Sequence, residues 1–325
     1  MINKEINLVD SFSNLEKKAM RDGYGEVLVE MARKDEKIVA VVADLADSLR
    51  LDLIKKEFPN RVIELGIQEQ NMMSLAGGLA MSGKTVTVNS LACFNPGYNW
   101  NQLRVSVCLT KENVKVIGGH AGFGNGVDGA NQQSFEDLAL TRVLPNLTIL
   151  CPADYEQVKK ATKSMLDFFG PVYLRMTKPT REVITTNMTP FEIGRAQQFR
   201  GGRDVSVFGC GVGVVEAMKA AEELAGEVDV EVINIHTIKP IDKAAILKSA
   251  MKTGLVVTVE EHSIIGGLGS AVAEVLVEGG IKTKMIRMGM MDCFGESGEP
   301  SELLDKYNIN KERIIFNIRN LLKND

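Results

Sequence analysis

Residues 62–81 read VIELGIQEQNMMSLAGGLAM, a stretch that contains a complete strand-to-helix transition and therefore indicates an α/β fold. A strand-like run at 62–65 reaches Gly66, and a helix of small and apolar residues starts within four residues. The first turn of that helix carries one acid, Glu69, between two glutamines. The helix dipole favours a carboxylate there by about 0.3–1 kcal/mol, so the stretch taken alone favours a capping role. Its neighbours leave little polar surface, however, so a buried carboxylate at this corner would need a partner.

The same alternation of strand and helix continues along the chain. Strands are predicted at 38–42, 61–65, 85–89, 114–117, 147–150, 172–175, 205–208, 230–235, 255–260 and 283–287. Helices are predicted at 24–34, 51–58, 69–82, 100–110, 134–142, 154–167, 214–225, 242–251, 269–278, 301–307 and 311–322. Runs that are apolar on both faces indicate parallel strands covered by helices on each side. We therefore predict an α/β protein with two three-layer domains, 1–185 and 186–325, and an irregular linker within 177–202.

Composition and charge exclude several classes of protein. The 325 residues carry 38 basic and 42 acidic side chains, a net charge of −4 without long like-charge blocks, which argues against nucleic acid or an anionic membrane as the main partner. No apolar run approaches the roughly 18 residues that span a bilayer, and the first residues lack the apolar core of a signal peptide. The five cysteines contain no C-x-x-C, and the three histidines are far apart, so we expect reduced thiols and no local metal site. The sequence predicts a cytoplasmic protein.

Two glycine-rich stretches could contact a ligand. GCGVGVVEA at 209–217 lacks the spacing of a dinucleotide-binding turn, so tight strand–helix packing is the favoured interpretation. The loop GGHAGFGNGVDGANQQSFED at 118–137 follows a predicted strand and carries His120 and Asp128. Ligands of α/β sheets bind at this end of the strands, and a histidine can act as donor or base near neutral pH. A surface turn with a solvated histidine explains the same stretch equally well.

Taken together, the segments GIQEQNM (66–72) and EEHSIIGGLGSAVAEVL (260–276) resemble the carboxyl-terminal half of a transketolase. More specifically, the chain resembles the small subunit of a split transketolase, and the resemblance extends nearly from end to end. It implies a thiamine pyrimidine-binding domain followed by a transketolase C-terminal domain. It also implies thiamine diphosphate as cofactor and the transfer of a two-carbon ketol (glycolaldehyde) unit from a ketose to an aldose.

The resemblance implies roles for individual residues. Glu69 would be the carboxylate that shares a proton with N1′ of the cofactor's aminopyrimidine, and His120 would act in catalysis on the donor sugar. The other implied cofactor contacts are Phe94, Trp100 and Asp44, and the other implied substrate contacts are Arg21, Ser48, Asp128, Gln132 and Lys178. Core packing remains the alternative for the two aromatic residues, and a surface charge is the alternative for Arg21.

Three positions depart from the family pattern. Split transketolases typically read D-G-A-S-H-Q where this chain has Asp128-Gly129-Ala130-Asn131-Gln132-Gln133, so a histidine is replaced by Gln132. Lys178 stands where an arginine is usual, and Gly97-Tyr98-Asn99-Trp100 stands where the family often reads G-R-A-W. Glutamine carries no charge, and lysine offers a point charge instead of a bidentate fork. We therefore expect an altered anion pocket, and a sulfonated ketose such as 6-deoxy-6-sulfofructose is an alternative substrate.

The sequence contains no G-D-G motif, which in the family binds Mg²⁺ (or Ca²⁺) and the diphosphate. The resemblance therefore implies a separate N-terminal subunit that carries the motif, and an α2β2 assembly in which two copies of this chain associate. Three alternatives stay open: a 2-oxoacid dehydrogenase E1 β subunit, a deoxyxylulose-phosphate-synthase-like subunit, and a non-catalytic interaction subunit with the same fold.

Overall fold

Two mainly parallel sheets organise the chain in a computed structural model that describes residues 1–12 and 14–323. The strands are β1 (Lys17–Ala19), β2 (Ile38–Val42), β3 (Val62–Glu64), β4 (Thr85–Leu91), β5 (Val114–Gly119), β6 (Thr148–Leu150), β7 (Val172–Arg175), β8 (Thr180–Glu182), β9 (Gln197–Arg200), β10 (Val205–Gly209), β11 (Val230–Asn234), β12 (Thr237–Lys239), β13 (Leu255–Ser263) and β14 (Lys284–Met290).

The α-helices lie between these strands, largely where the sequence predicts them. They are α1 (Met20–Lys34), α2 (Asp52–Glu57), α3 (Glu69–Met81), α4 (Trp100–Gln102), α5 (Asp137–Arg142), α6 (Tyr155–Asp167), α7 (Val212–Glu223), α8 (Lys243–Thr253), α9 (Leu268–Glu278), α10 (Pro300–Lys306) and α11 (Lys311–Lys323). Short 3₁₀ helices cover Lys4–Ile6, Pro59–Arg61 and Phe123–Asp128. Among the described helices, none is long and apolar enough to cross a membrane.

The first sheet has the strand order β12-β6-β7-β5-β4-β2-β3, and its strands run parallel except for β12. Helices α1 and α6 bury one face, and α3 with its neighbours buries the other. All seven residues of β4 and all six of β5 are buried, as expected of central strands covered on both sides. The carboxyl ends of the parallel strands therefore meet at one edge of this sheet.

The second sheet has the order β14-β13-β10-β11-β9, with β9 antiparallel to its neighbour. Helices α7 and α11 pack on one face, and α8 and α9 pack on the other, where their core continues into that of the first sheet. Two sheets, each covered by helices on both faces, confirm the predicted fold class.

Two predictions about local structure are wrong. The stretch 177–202, predicted to be irregular, contains β8 and β9, and β8 pairs antiparallel with β1. Strands of three or four residues are too short to show an alternation of apolar and polar side chains. Their extended conformation depends on pairing with a distant strand. In the predicted helix 100–110, only the first turn is α-helical (α4). The chain continues from Leu103 to Cys108 as a π-helix. The apolar pattern over six residues does not distinguish these two helix types.

The two halves of the chain exchange segments. Apolar side chains between residues 6 and 15 pack against the core of the second sheet, and the amino group of Met1 donates to the Gly201 carbonyl at 2.9 Å. In the opposite direction, β12 follows the second-sheet strand β11 but adds antiparallel to β6 of the first sheet. The boundaries of the two predicted domains stay a prediction, since each half completes the other.

Candidate active site

Glu69 is the first residue of α3, and its side chain is only 4% exposed. The hydroxyl of Ser90, near the carboxyl end of β4, donates to Glu69 Oε1 at 3.1 Å. No hydrogen bond from the backbone of α3 to this carboxylate is found in the described chain, and the N-cap residue Gln68 makes no side-chain cap either. The carboxylate is therefore held by the neighbouring strand and does not serve as a cap. Its Oε2 has no hydrogen-bond partner among the described residues, which leaves it able to meet a ligand.

A second group of side chains surrounds His120, which directly follows β5 with a left-handed φ of 55°. The Arg21 guanidinium donates to the Ser48 carbonyl at 3.1 Å, and Lys178 Nζ lies 3.4 Å from the side-chain oxygen of Asn125. Burial, with the nearby charges of Lys178 and Arg21, lowers the pKa of His120 to about 4, although Ser48 and Asn125 act in the opposite direction. The histidine is therefore neutral at pH 7, between two cationic side chains.

This group contains buried polar atoms that the described residues leave unpaired. They are Nε2 of His120, Nε of Arg21 and the hydroxyl oxygen of Thr177. Gly124 lies against the same group: a Cβ atom on it would be 3.2 Å from Lys178 N and 3.6 Å from His120 Cβ. Each unpaired buried polar group costs about 1–3 kcal/mol, and a ligand with matching donors and acceptors would remove that cost. The unpaired atoms and the two nearby cationic side chains are chemically suited to a polar, anionic molecule.

Glu69 and the His120 group lie at the same edge of the first sheet. The strands that carry Ser90 and precede His120 are neighbours, and Leu91 of β4 is in register with Gly119 of β5. A carboxylate with a free oxygen, held from β4 by Ser90, and a neutral histidine with a free nitrogen, directly after β5, therefore lie at the carboxyl ends of two adjacent parallel strands, where α/β sheets bind ligands. Together they can hold or move a proton and bind hydroxyl or carbonyl oxygens.

The other three predicted cofactor contacts have different surroundings. Phe94 is half-buried and stacks on Tyr98, with ring centroids 5.1 Å apart. Trp100 packs against the core of the first sheet, and its indole N–H donates to a carbonyl of α5 at 2.8 Å, which fits the core-packing alternative. Asp44 is exposed after β2, has a left-handed φ of 57°, and donates through its amide to the Glu64 carboxylate at 2.7 Å. The cofactor-binding roles of all three stay predictions.

Asp128 and Gln132 lie on the glycine-rich loop. Asp128 is exposed at the end of the 3₁₀ helix Phe123–Asp128, and Gln132 is half-buried. The structure does not bring either side chain into hydrogen-bonding contact with His120. The next residue, Gln133, is buried, and its amide donates to the Glu296 carbonyl at 2.9 Å, which ties the loop to the second half of the chain. The substrate-binding roles of Asp128 and Gln132 stay predictions.

Sequence reasoning missed several residues of this edge. Ser90 holds the proposed acid, Asn125 contacts Lys178, and Thr177 carries an unpaired hydroxyl. Asn95 and Asn99 link Glu69 to the strand ends. Asn125 could have been noticed because it lies within the glycine-rich loop. The others contact the site through distant pairings that no local pattern expresses. Among the described residues, no cluster of three or more His, Cys, Asp or Glu side chains could hold a metal ion.

A different set of buried polar residues lies between the two halves, and we call Asp137, Tyr173, Arg175, Glu261 and His262 the interdomain network. Arg175 Nε and the Tyr173 hydroxyl each donate to Asp137 Oδ2 at 2.8 Å, and Arg175 Nη2 donates to the Glu261 carbonyl at 2.8 Å. His262 Nε2 accepts a backbone N–H of α5 at 3.1 Å. Burial lowers the pKa of His262 to about 4. This network is paired internally and joins the two halves.

Two family models match the chain: Transketolase, pyrimidine binding domain, over residues 16–182, and Transketolase, C-terminal domain, over residues 194–314. A protein of Methanocaldococcus jannaschii described as a transketolase C-terminal section is 41% identical over 95% of this chain and 98% of its own length. The 6-deoxy-6-sulfo-D-fructose transketolase subunit SqwH of Clostridium sp. (strain MSTE9) is 39% identical over 93% of this chain and 94% of its own length.

A solved structure described as a split-gene transketolase, inactive beta4 tetramer, superposes with a TM-score of 0.86 at 37% identity and covers 95% of this chain and 99% of its own. Human transketolase is 34% identical over 94% of this chain, which spans 49% of the human protein. The similarity thus extends over the full length of split-subunit relatives and about half the length of a single-chain relative. The chain belongs to the transketolase family and corresponds to the C-terminal section of its members.

Proposed function

We propose that this chain, together with a separate N-terminal subunit, transfers a two-carbon ketol unit from a ketose to an aldose with thiamine diphosphate as cofactor. The observation that carries the proposal is that Glu69, held by Ser90 of β4, and His120, directly after the neighbouring strand β5, lie at the same edge of the sheet, each with a polar atom left unpaired by the described residues. Membership of the transketolase family supports the reaction class. The two alternatives from other thiamine enzymes are less well supported, because the similar proteins named above are transketolases.

The residues fit the pyrimidine end of the cofactor. Bound thiamine diphosphate would supply a carbon acid that, once deprotonated, carries the two-carbon unit. Glu69 would hold a proton against the pyrimidine ring, because Ser90 fixes one carboxylate oxygen and leaves the other free. Phe94 offers a half-buried aromatic ring three residues after the end of β4, the strand that carries Ser90. We assign the diphosphate and Mg²⁺ (or Ca²⁺) to the partner subunit, since the G-D-G motif is absent from this sequence.

His120 would bind the sugar oxygens of the donor. Its pKa near 4 keeps the imidazole neutral at pH 7, mainly through burial, so the ring can both donate and accept hydrogen bonds there. Arg21 and Lys178 would attract the anionic end of the donor, since both charges act on His120. Neutral histidine between two cations can bind a hydroxyl without adding a third positive charge to the pocket.

A sulfonated ketose is the second candidate for the donor. Gln132 stands uncharged and half-buried where related subunits typically have a histidine. One relative, at 39% identity, is named for 6-deoxy-6-sulfo-D-fructose, and another, at 35% identity from Phocaeicola vulgatus, is named for apulose 4-phosphate. Sulfonate carries one negative charge where phosphate carries close to two at neutral pH, so a less positive pocket suits it better.

The direct test combines the two purified subunits with thiamine diphosphate and Mg²⁺ and measures transfer from phosphorylated and sulfonated ketoses. We expect turnover only with both subunits present, and at least a 100-fold lower kcat for Glu69→Gln. Glu57→Gln, an exposed acid paired with Arg33, is the matched control and should retain full activity. Turnover by this chain alone, or near-full activity of Glu69→Gln, would refute the proposal.

The donor class is tested by Gln132→His. Restoring a group that can be charged should raise kcat/KM for sugar phosphates relative to sulfonates by about 10-fold, which corresponds to about 1.4 kcal/mol. An unchanged ratio would remove Gln132 from substrate selection while leaving the reaction class intact.

The assembly is proposed as α2β2. The related split-gene transketolase is described as an inactive beta4 tetramer, which supports a small subunit that associates with itself and needs a second chain for activity. Mass measurement of this chain alone and after mixing with the partner tests this point: equimolar complexes of two copies of each chain are expected, and a one-to-one complex would contradict it.

A further inference from the structure

Two asparagines, Asn95 and Asn99, lie between Glu69 and the carboxyl ends of β4 and β5. They are four residues apart, and both side chains are fully buried, at 0% exposure. Neither contributes to the function proposed above. Buried amides carry two donors and an acceptor, so their hydrogen-bond partners indicate what they hold in place.

The orientation of the pair is determined by its surroundings. Asn95 Nδ2 donates to the Val88 carbonyl at 3.0 Å and to the Ile117 carbonyl at 2.9 Å. Because a carbonyl can only accept, these two bonds require the amide nitrogen of Asn95 at that position, and its oxygen must face the other way. That oxygen accepts from Asn99 Nδ2 at 3.0 Å, so the orientation of Asn99 follows from that of Asn95.

The second N–H of Asn99 donates to the backbone carbonyl of Glu69 at 3.3 Å. Asn99 immediately precedes α4, a position where an asparagine oxygen usually caps the helix, yet its side chain makes no capping bond. Its Oδ1 has no partner among the described residues. The side chain thus forgoes a local bond and is oriented toward Glu69.

We propose that Asn95 and Asn99 are positioning residues that fix the start of α3, and with it the Glu69 carboxylate, relative to the carboxyl ends of β4 and β5. The inference rests on the proposed catalytic role of Glu69. Ser90 holds the carboxylate from β4, and the asparagine pair holds the backbone of the same residue from β4 and β5. Neither asparagine needs to touch cofactor or substrate, because each acts through Glu69. Loss of the pair frees the first turn of α3 to shift.

The test uses Asn99→Ala, Asn95→Ala and the double variant in the reconstituted two-chain enzyme. We expect Asn99→Ala to lower kcat by about 10- to 100-fold with little change in the donor KM, since a displacement of about 1 Å has effects of this size. The double variant should be no slower than Asn99→Ala, because the two residues act as one unit. Asn99→Ser serves if alanine prevents folding, since serine is too short to reach both acceptors.

A second readout does not depend on activity. The Met72 amide donates to the Gln68 carbonyl at 2.9 Å in the first turn of α3, and its hydrogen exchange should accelerate at least several-fold in Asn99→Ala. Asn234→Ala is the matched control: Asn234 is also fully buried, its amide donates to two side-chain oxygens at 3.0 and 3.1 Å, and its Oδ1 is unpaired among the described residues. It should lower Tm without changing kcat or Met72 exchange.

The outcomes separate the two proposals. Unchanged Met72 exchange in Asn99→Ala overturns the positioning role whatever the activity. A wild-type kcat in Asn99→Ala, measured beside an inactive Glu69→Gln, overturns the positioning role as well. So does an Asn99→Ala variant that, like Asn234→Ala, changes only Tm and neither kcat nor Met72 exchange. If Glu69→Gln retains activity, the proposed function fails. Met72 exchange in Asn99→Ala then decides the structural role by itself. Accelerated exchange would still show that the asparagine pair fixes the start of α3, and wild-type exchange would reject that role too.

Discussion

The interdomain network is buried and the group around His120 is partly buried, and both contain arginine and histidine, but they differ in how completely they are paired. Asp137 of the network accepts hydrogen bonds from a serine, a tyrosine and Arg175. In the other group, one nitrogen of His120 and one of Arg21 have no partner in the part of the chain that the structure describes. The first arrangement is complete without a ligand, and the second is not.

This comparison shows that a shifted pKa does not identify the functional histidine. Burial lowers the pKa of both His120 and His262 to about 4. His262 Nε2 accepts a backbone N–H, whereas His120 Nε2 accepts and donates nothing within the described residues. In these two groups, the residues paired within the protein stabilise the fold, and the unpaired atoms at the carboxyl ends of the strands are the ones that we propose for the substrate. The following experiments test that distinction, from the largest expected effect to the smallest.

Arg175→Met should lower the free energy of unfolding by about 3–5 kcal/mol, because it leaves the Asp137 carboxylate buried without its cationic partner. Burial raises the pKa of Asp137, but Arg175 and His262 outweigh it and hold that pKa below its usual value, so the acid is ionised in the folded protein. Urea unfolding at pH 7 provides the measurement. A loss below 1 kcal/mol would mean that the network contributes little to stability.

His120→Asn should reduce the dependence of stability on pH. The folded protein keeps His120 neutral down to about pH 4, whereas an unfolded chain protonates histidine below about pH 6.5. The stability from this group is therefore fully present above pH 6.5 and is lost as the pH falls toward 4. Between pH 6.5 and 5 the variant should lose about 2 kcal/mol less than the wild type.

The comparison of variant with wild type is needed because other groups titrate in the same range. Burial raises the pKa of Glu260 to about 7, so that residue has the opposite effect: its stability is lost as the pH rises from about 4.5 to 7. Its contribution cancels in the difference. Parallel pH curves for the two proteins would show that His120 titrates normally, as a solvated residue would.

Arg21→Met should have the smallest effect on stability, within about 0.5 kcal/mol, because this guanidinium makes one hydrogen bond to a carbonyl and leaves Nε unpaired among the described residues. The same variant should raise the KM of an anionic donor about 10-fold, through the loss of one charge-assisted contact. Unfolding curves and initial rates provide the two measurements. A stability loss above 2 kcal/mol would place Arg21 with the network instead of the site.

Much of the site's position could be predicted from local patterns. Glu69 begins α3 and His120 follows β5, as the apolar runs before them indicated. The alternation of buried strands and amphipathic helices also predicted the fold class, because parallel strands covered on both faces are apolar throughout. These features depend on a few consecutive residues, so the sequence expresses them directly.

The missed features depend on distant pairs. Ser90 is 21 residues from Glu69 and Asn99 is 30 residues away, and nothing in their local sequence indicates the contact. The strand β8 reads TRE, which has no apolar alternation, and its conformation comes from pairing with β1. The π-helix and the antiparallel addition of β12 were missed for the same reason: tertiary contacts overrule weak local preference.

The addition of β12 to the first sheet has a consequence for dividing the chain. In a fragment of residues 1–185, β6 would keep β7 but lose β12, and it would present a row of unpaired backbone groups beside buried apolar side chains. Exposed apolar edges of this kind pair with other chains and lead to aggregation. The second half of the molecule thus protects the first from self-association, and the boundary between the two family domains is an unsuitable place to separate them.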